Sequence, residues 1–438
     1  MSIIYALATP PAQSAICVFR VSGEGCLDAL SKLFSSELVE PRYFYKTEML
    51  NNGAFIDSVA VVFFKGPKSF TGEDSFEVYA HGGLAVMSKI VEVFDAIGFE
   101  EAQPGEFSKR AFLNNKISLS QAEAVSDLIS ASSKEEASRV SLVLGGDFES
   151  RVFDFSGQLD ALRVLVEGEI DFTDEDEVFI QNLAGLGADV SRLSAEFCSF
   201  AGACSSRKDG FNKPRVLIAG PPNSGKSSLF NSLLSRDRSI VSSIAGTTRD
   251  LIDSELVLQN IVLTLGDSAG VRDTDDLIEG AGINISFDEI KRPDLVILVF
   301  DKETESSVSF FRELLGEQKH LLVYNKIDVS DKRPSGFDLF VSAKEMDGLN
   351  ELRKILDERL SVDESEDLTY LVRERHINIF SEVSSRLDFV SSSIEANESL
   401  DVVAENLKAC RDLLAEVVGI KTSDELLGEI FSSFCIGK

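Results

Sequence analysis

The segment from Gly220 to Ser227, Gly-Pro-Pro-Asn-Ser-Gly-Lys-Ser, has the spacing of a phosphate-binding loop, G-x-x-x-x-G-K-[ST]. The apolar residues 216–219 before it predict a buried strand, and the apolar spacing of residues 228–234 after it predicts a helix. In such a loop, glycines let backbone N–H groups surround phosphate oxygens, and the helix N-terminus adds partial positive charge. Lys226 would contact the outer phosphates, and the Ser227 hydroxyl would bind Mg²⁺. The segment therefore predicts a nucleoside triphosphate site.

Further motifs of the same chemistry follow along the chain. Thr248, in Gly-Thr-Thr-Arg-Asp at 246–250, can provide a second Mg²⁺ ligand. Asp267 follows an apolar run and begins Asp-Ser-Ala-Gly, so its carboxylate can hold the water shell of the metal while the Gly270 N–H meets the γ-phosphate. Polar groups at the ends of successive parallel strands meet at one edge of a sheet, where ligands bind.

The base specificity comes from Asp328, the last residue of Asn-Lys-Ile-Asp at 325–328. Its carboxylate can accept hydrogen bonds from both N1–H and the 2-amino group of guanine, whereas adenine has neither donor, so we predict GTP rather than ATP. Ser-Ala-Lys at 342–344 would complete the base pocket. The predicted GTP-binding residues are Asn223, Ser224, Gly225, Lys226, Ser227, Ser228, Ser242, Ser243, Ile244, Ala245, Gly246, Thr247, Thr248, Asp267, Ser268, Ala269, Gly270, Asn325, Lys326, Asp328, Ser342, Ala343 and Lys344.

No glutamine follows Gly270, so a carboxylate farther along that loop is the candidate for orienting the attacking water. No arginine finger can be assigned, because Arg249 and Arg272 are only loop candidates. Asn223 and the segment 242–247 instead offer neutral oxygen ligands that suit K⁺, which would place positive charge near the phosphates.

Composition limits the class of protein. The chain has 438 residues, a formal charge of −30 and six scattered cysteines without a C-x-x-C pair. Such acidity argues against a freestanding nucleic-acid binder, because phosphate attraction needs a basic surface. The cysteine pattern favours reduced thiols in a cytosolic protein. No apolar stretch approaches the length of a membrane span, and the N-terminus lacks the basic region of a signal peptide.

The pattern along the chain predicts a multidomain protein with α+β and α/β parts. Residues 1–115 read as α+β, 116–212 as helical, 213–365 as a nucleotide domain with a mostly parallel sheet, and 366–438 as helical again. The last segment is too short for a sizeable core of its own, so it should pack against the helices of 116–212. The GTPase domain would then be an insertion in a discontinuous helical domain.

Finer elements can be placed as well. Apolar runs predict strands over 3–7, 15–19 and 59–64, and a helical period covers 84–94. Ser-Gln-Ala-Glu at 120–123 has the pattern of a capping box that opens a helix.

The chain resembles a known family along its whole length. The motifs that carry the resemblance are Thr-Pro-Pro at 9–11, Ser-Phe-Thr-Gly-Glu-Asp at 69–74, Pro-Gly-Glu-Phe-Ser-Lys-Arg-Ala-Phe-Leu-Asn at 104–114, the inserted GTPase, and the end Cys-Ile-Gly-Lys at 435–438. Together they are similar to the MnmE (TrmE) family of bacterial and organellar tRNA modification GTPases. The sequence departs from the family pattern in Pro-Ala-Gln at 11–13, where a glycine is usual after the prolines, and in having serine rather than threonine after Asp267.

The resemblance implies a function for each domain. The N-terminal domain would bind a tetrahydrofolate, in the 5-formyl or methylene form, and dimerise the protein. With the FAD- and NADH-dependent partner MnmG (GidA), in a heterotetramer or larger complex, the homodimer would add an aminomethyl or carboxymethylaminomethyl group at C5 of the wobble uridine, position 34, of certain tRNAs. The GTPase would depend on K⁺ and be activated by dimerisation of the G domains. The partner would hold most of the tRNA, in keeping with the acidity of this chain.

The resemblance also assigns residues. Folate contacts are expected from Arg20, Glu77, Lys116 and Lys438, and K⁺ ligands from Asn223, Ser242, Ile244 and Thr247. Glu279 matches the catalytic glutamate of the family, and Cys435 would reach toward the pterin as a candidate for chemistry. Two alternatives stay open: a regulatory GTPase switch, for example in ribosome assembly, and a folate-dependent enzyme merely gated by GTP.

Overall fold

In the computed structural model of the chain, the described residues are 2–171, 176–206, 213–235, 253–267, 293–329, 333–360, 369–396, 398–421 and 423–437. They divide into two units. The first unit comprises Met1–Ser130, Arg139–Arg207 and Asp367–Lys438, and the second comprises Ala131–Ser138 and Lys208–Glu366. The first unit therefore contains chain from both sides of the second, which is the inserted topology that the sequence predicts.

The N-terminal part of the first unit is a six-stranded sheet with a helical layer. Its elements are β1 (Ile4–Leu7), β2 (Ile16–Ser22), α1 (Leu30–Leu33), β3 (Tyr45–Asn51), β4 (Ala54–Phe64), β5 (Ser75–His81), α2 (Leu84–Ala96), β6 (Glu100–Glu101) and α3 (Glu106–Leu113). The strand order is β3-β4-β5-β2-β1-β6, and only the pair β1–β6 is parallel. Phe19, Phe76 and Phe94 lie in its core. The predicted strands and the predicted helix are confirmed, whereas β3 and β5 were not predicted.

The helical part begins with α4 (Leu119–Ser130), α5 (Lys134–Leu144), α6 (Asp147–Asp171) and α7 (Asp176–Gly202), followed by the short strand β7 (Cys204–Ser206). The capping box of α4 lies two residues before the predicted one. Gln121 N–H donates to Ser118 Oγ at 3.2 Å, and Ser118 N–H donates to Gln121 Oε1 at 3.0 Å. The predicted capping box at 120–123 was wrong, because Ser118 and Gln121, two residues earlier, fit the same pattern and form the two hydrogen bonds.

The second unit is an α/β domain. Its elements are β8 (Arg215–Ala219), α8 (Lys226–Ser235), β9 (Asp253–Val257), β10 (Val262–Asp267), β11 (Leu295–Phe300), α9 (Val308–Leu315), β12 (His320–Tyr324), β13 (Leu339–Phe340) and α10 (Leu349–Leu360). The strand order is β13-β12-β11-β8-β10-β9, and every pair is parallel except β10–β9. This arrangement confirms the predicted mostly parallel sheet. All six residues of β11 are buried, as expected for a central strand covered on both faces.

The chain then returns to the first unit through β14 (Tyr370–Val372), α11 (Glu374–Glu395), α12 (Leu400–Val418) and α13 (Asp424–Ser432). Phe380 of α11 packs its ring 5.7 Å from that of Phe197 and 5.5 Å from that of Phe200, both on α7. These rings belong to one buried cluster that joins α5, α6 and α7 to α11 and α12. The predicted packing of the C-terminal helices on the earlier ones is therefore confirmed.

The two segments that flank the second unit are fixed beside each other. β7 and β14 pair in parallel, with Cys204 opposite Tyr370. Just beyond β14, Arg375 forms two 2.9 Å hydrogen bonds to the buried carboxylate of Glu123. Burial alone would raise the pKa of Glu123, but the neighbouring His376 and the Arg375 guanidinium outweigh it and lower the pKa to about 2. This buried ion pair ties α11 to α4.

Candidate functional site

The phosphate loop connects the end of β8 to the start of α8, as the sequence predicts. Gly220 has φ 145°, and a Cβ atom there would lie 2.3 Å from the carbonyl oxygen of Val299 on the neighbouring strand. Gly225, with φ 93°, would place a Cβ 2.3 Å from the side-chain nitrogen of Asn325. A larger residue at Gly220 would clash with backbone, and one at Gly225 would displace the Asn325 side chain; both would also be strained at these positive φ angles. The glycines of the motif thus allow close packing of the loop on β11 and on the base-recognition motif.

The phosphate loop carries the lysine and the serines of its motif. Lys226 begins α8, and its Nζ donates to the carbonyl oxygen of Pro221 at 2.9 Å. Ser224 is fully buried, and its hydroxyl has no partner among the described residues. Ser227 and Asn223 are exposed at the mouth of the loop. The loop therefore presents the lysine and the hydroxyls that a triphosphate with Mg²⁺ requires.

Asn325 connects the phosphate loop to the Ser-Ala-Lys segment. Its side chain is buried, donates to the Ser224 carbonyl oxygen at 3.0 Å and accepts from the Ala343 N–H at 3.1 Å. One amide thus uses both its donor and its acceptor to bring together three loops that are far apart in sequence. The structure therefore places the predicted phosphate and base motifs at one end of the sheet.

The phosphate loop and the segments 325–328 and 342–344 form a corner of the domain, and Lys326 lies in it. Its backbone is left-handed, with φ 61°. Its Nζ donates to the Asn223 carbonyl oxygen and to Asp301 Oδ2, both at 2.6 Å. Asp301 also accepts from the Thr304 hydroxyl at 2.8 Å. Burial alone would raise the pKa of Asp301, but the hydrogen bonds from Lys326 and Thr304 outweigh it and lower the pKa. Asp301 fixes the direction of the lysine side chain.

Sequence reasoning missed Asp301, although a signal was present. It is the first residue after the entirely apolar strand β11, so it occupies the same sheet edge as the ends of β8 and β12. A carboxylate in that place is a candidate site residue by position alone.

Asp328 is exposed at the outer side of the corner, as expected of a residue that contacts a base. Its Oδ1 accepts a 2.7 Å hydrogen bond from the Ser342 hydroxyl. That hydrogen bond is the main reason why the pKa of Asp328 is lowered, with a smaller contribution from Lys344 and Lys326. The carboxylate is consequently ionised and held by Ser342, which is compatible with the predicted contact to the two guanine donors. Lys344 is exposed beside it, 3.6 Å from the Glu345 carboxylate.

Several predicted site residues lie outside the described residues. They are Ser242, Ser243, Ile244, Ala245, Gly246, Thr247, Thr248, Ser268, Ala269, Gly270 and Glu279, together with the candidates Arg249 and Arg272 and the folate residue Lys438. The backbone of Asp267 is described and pairs opposite Ile218 of β8, close to the start of the phosphate loop.

Two of the residues assigned to folate, Arg20 and Glu77, lie on the N-terminal sheet. Arg20 and Glu77 are paired across β2 and β5, with Arg20 Nε 2.9 Å from Glu77 Oε1. The Tyr79 hydroxyl donates to Glu77 Oε2 at 2.6 Å, and burial together with that carboxylate raises the pKa of Tyr79 to about 12. Tyr79 was not predicted as a partner of Glu77, although strict alternation along β5 puts both side chains on one face. A cavity of about 190 Å³ opens beside Arg20 and Glu77.

Lys116 and Cys435 are the other predicted residues of the N-terminal site that the structure describes. Lys116 Nζ donates to the Pro67 carbonyl oxygen at 2.9 Å, next to Lys68 in the wall of that cavity. Cys435 is exposed, and its backbone carbonyl accepts a 3.3 Å hydrogen bond from Gly105 N–H.

Of the described helices, none combines the length and apolarity needed to cross a membrane.

Comparison with protein families gives two matches. Residues 3–116 match the family described as GTP-binding protein TrmE N-terminus, and residues 119–435 match the MnmE helical domain. The second match alone extends over more than half of the chain.

Named relatives match over 99% of the chain. The chain is 38% identical to the tRNA modification GTPase MnmE of Legionella pneumophila (strain Corby) over 445 residues, which is 99% of both chains. It is likewise 38% identical to that of Bordetella avium over 452 residues and 34% identical to that of Francisella tularensis subsp. holarctica over 447 residues, again with 99% of each chain covered. Among solved structures, the G domain of the T. maritima FeoB iron transporter is 27% identical, with a TM-score of 0.27, and covers 34% of this chain and 100% of its own.

Proposed function

Because the chain belongs to the MnmE family, it is a GTPase that acts in tRNA modification, and we propose that the corner around Asn325 is its guanine nucleotide site. One observation carries the proposal: the Asn325 side chain binds both the phosphate loop and the segment that holds Asp328 in place. A nucleotide with its phosphates at Lys226 would then have its base at Asp328. Asp301 and Lys326 would form the floor between them.

The oxygen donors of the proposed site suit the two proposed metal ions. Ser227 and Thr248 have hydroxyl oxygens, which suit the hard ion Mg²⁺. When bound, Mg²⁺ neutralises charge on the phosphate oxygens. The exposed Asn223 amide, with Ser242, Ile244 and Thr247, would hold K⁺ through neutral oxygens. In this proposal Glu279 orients the attacking water, and the G domains pair across a dimer.

The N-terminal domain would serve the one-carbon chemistry. The cavity beside Arg20 and Glu77 has aromatic walls from Phe64, Phe70 and Phe107, which suit a flat heterocycle such as the pterin of a tetrahydrofolate. Lys116 and Lys438 would add cationic contacts, and the exposed Cys435 thiol would be available to the pterin. The homodimer would work with MnmG on C5 of the wobble uridine, in the cytoplasm, with the partner holding most of the tRNA.

Nucleoside analysis of tRNA tests the whole proposal. A strain without the gene should lose the aminomethyl and carboxymethylaminomethyl groups at the wobble uridine, and the unmodified chain should restore them. Lys226→Ala should fail to restore them, whereas Glu345→Gln, a change of an exposed charge nearby, should succeed. Unaltered wobble uridines in the deletion strain would instead favour a regulatory GTPase switch.

A further inference from the structure

We propose that Arg42 and Lys68 form an anionic subsite of the N-terminal cavity, which binds the glutamate carboxylates in the tail of a folate. The proposal rests on the proposed folate function of that cavity. It goes beyond that function by naming the residues that would make the affinity depend on the number of glutamates in the tail. Both cations line the same cavity of about 190 Å³ as Arg20 and Glu77.

The charges of the cavity do not balance. Its wall carries three cations, Arg20, Arg42 and Lys68, and a single carboxylate, that of Glu77, so the formal charge is +3 − 1 = +2. Glu77 is already engaged by Arg20 and by the Tyr79 hydroxyl. Among the described residues, no carboxylate pairs with Arg42 or Lys68. In a chain with a formal charge of −30, a cavity with two uncompensated cations indicates an anionic ligand.

Arg42 is held in place although its side chain is exposed. Its backbone is left-handed, with φ 66°, and its N–H donates to the Phe63 carbonyl oxygen at 2.8 Å. Its guanidinium donates to the Lys68 carbonyl oxygen at 2.7 Å and lies 6.0 Å from the centre of the Phe64 ring. These contacts use one edge of the guanidinium and join it to the turn that carries Lys68. The remaining N–H donors suit the planar carboxylate group.

The shape and chemistry of the walls narrow the class of ligand. Phe64, Phe70 and Phe107 offer apolar and aromatic surface at the same cavity, so the ligand should combine a flat ring system with carboxylates. A folate has this composition, and each glutamate added to its tail adds one more carboxylate. A phosphate of tRNA shares only the negative charge and would leave the aromatic walls unused.

The test is to measure the affinity of the full-length chain for 5-formyltetrahydrofolate with one and with three glutamates, by calorimetry. We expect the triglutamate to bind about 10-fold more tightly, since each exposed charge pair contributes about 2- to 5-fold. Arg42→Gln and Lys68→Gln should each remove part of this difference, and the double variant should abolish it. Arg42→Lys, which keeps the charge, should retain most of the difference.

The matched control is Lys65→Gln, because Lys65 is an exposed cation in the same turn but does not line the cavity. It should preserve the preference for the triglutamate. If the double variant still prefers the triglutamate, or if the unmodified chain binds both forms equally, the subsite is refuted while folate binding stands. Failure of every folate form to bind the unmodified chain would refute the folate function itself. Loss of tRNA affinity in the double variant with unchanged folate binding would assign the two cations to phosphate instead.

Discussion

Replacing Asp301 by asparagine tests whether the position of Lys326 matters for nucleotide binding. The amide has the size of the carboxylate and can still accept from Thr304, but it loses the charge that faces the ammonium 2.6 Å away. Lys326 would then keep only its bond to the Asn223 carbonyl oxygen. A lysine side chain freed in this way recovers rotamer freedom, and part of that entropy must be lost again when a nucleotide binds.

The size of the effect follows from the exposure of the two partners. A hydrogen bond to a charged group contributes about 1.5–3 kcal/mol, whereas an exposed ion pair contributes only about 0.2–1 kcal/mol. The side chain of Asp301 is 5% exposed and that of Lys326 is 40% exposed, so the pair lies between these cases. We therefore expect about 1–2 kcal/mol, which corresponds to an affinity for GDP and GTP that is about 5- to 30-fold weaker.

Equilibrium binding of a fluorescent guanine nucleotide measures this loss directly. The control is Glu303→Gln, which removes the same charge from the same loop at an exposed position. The pKa of Asp301 is lowered in the folded chain, so its stabilising charge is complete above the unfolded value of about 3.9 and is lost only as the pH falls through the lower folded pKa. The difference between the variants should therefore be constant between about pH 6 and 8. An Asp301→Asn affinity within about 2-fold of that of Glu303→Gln would refute the reasoning.

Three further predictions concern the same domain. Asp328→Asn should shift the preference from GTP toward xanthosine triphosphate, because an amide can donate to the extra carbonyl of xanthine; competition binding with both nucleotides measures this, and an unchanged preference would contradict the assignment. Glu279→Ala should lower kcat by about 10²- to 10⁴-fold with nearly unchanged GTP affinity, as single-turnover hydrolysis would show, and normal turnover would exclude Glu279 from the mechanism. Hydrolysis by the unmodified chain should be much faster in K⁺ than in Na⁺ at equal ionic strength, and Asn223→Ala should flatten the difference; equal rates in both salts would return Arg249 and Arg272 to consideration.

The sequence was most informative where local spacing decides structure. The apolar run before Gly220 and the helical period after Gly225 were sufficient to place the phosphate loop between β8 and α8. β5 was not predicted because turn residues such as Gly72 and Gly82 flank its seven residues closely. The alternation of its side chains is nevertheless the pattern of a half-buried strand.

Other features could not be read from the sequence at all. Glu123 fits a helix cap by its spacing, yet it is buried against Arg375, 252 positions away in the chain. Likewise, nothing local indicates that Asp301 binds Lys326, because the contact depends on the order of β11 and β12 in the sheet. Such pairs are fixed by tertiary packing, which a motif cannot encode.

The parallel pairing of β7 with β14 implies that residues 207–368, which hold most of the second unit, could be excised. Neighbouring strands lie about 4.8 Å apart, so the chain leaves the first unit beyond Ser206 and re-enters it before Tyr370 within a few residues' reach. A short glycine–serine linker in place of residues 207–368 would span that gap at a small cost in loop entropy. The shortened chain would keep the buried Glu123–Arg375 pair and the phenylalanine cluster around Phe380, so the N-terminal and helical parts should fold as a separable module without GTPase activity.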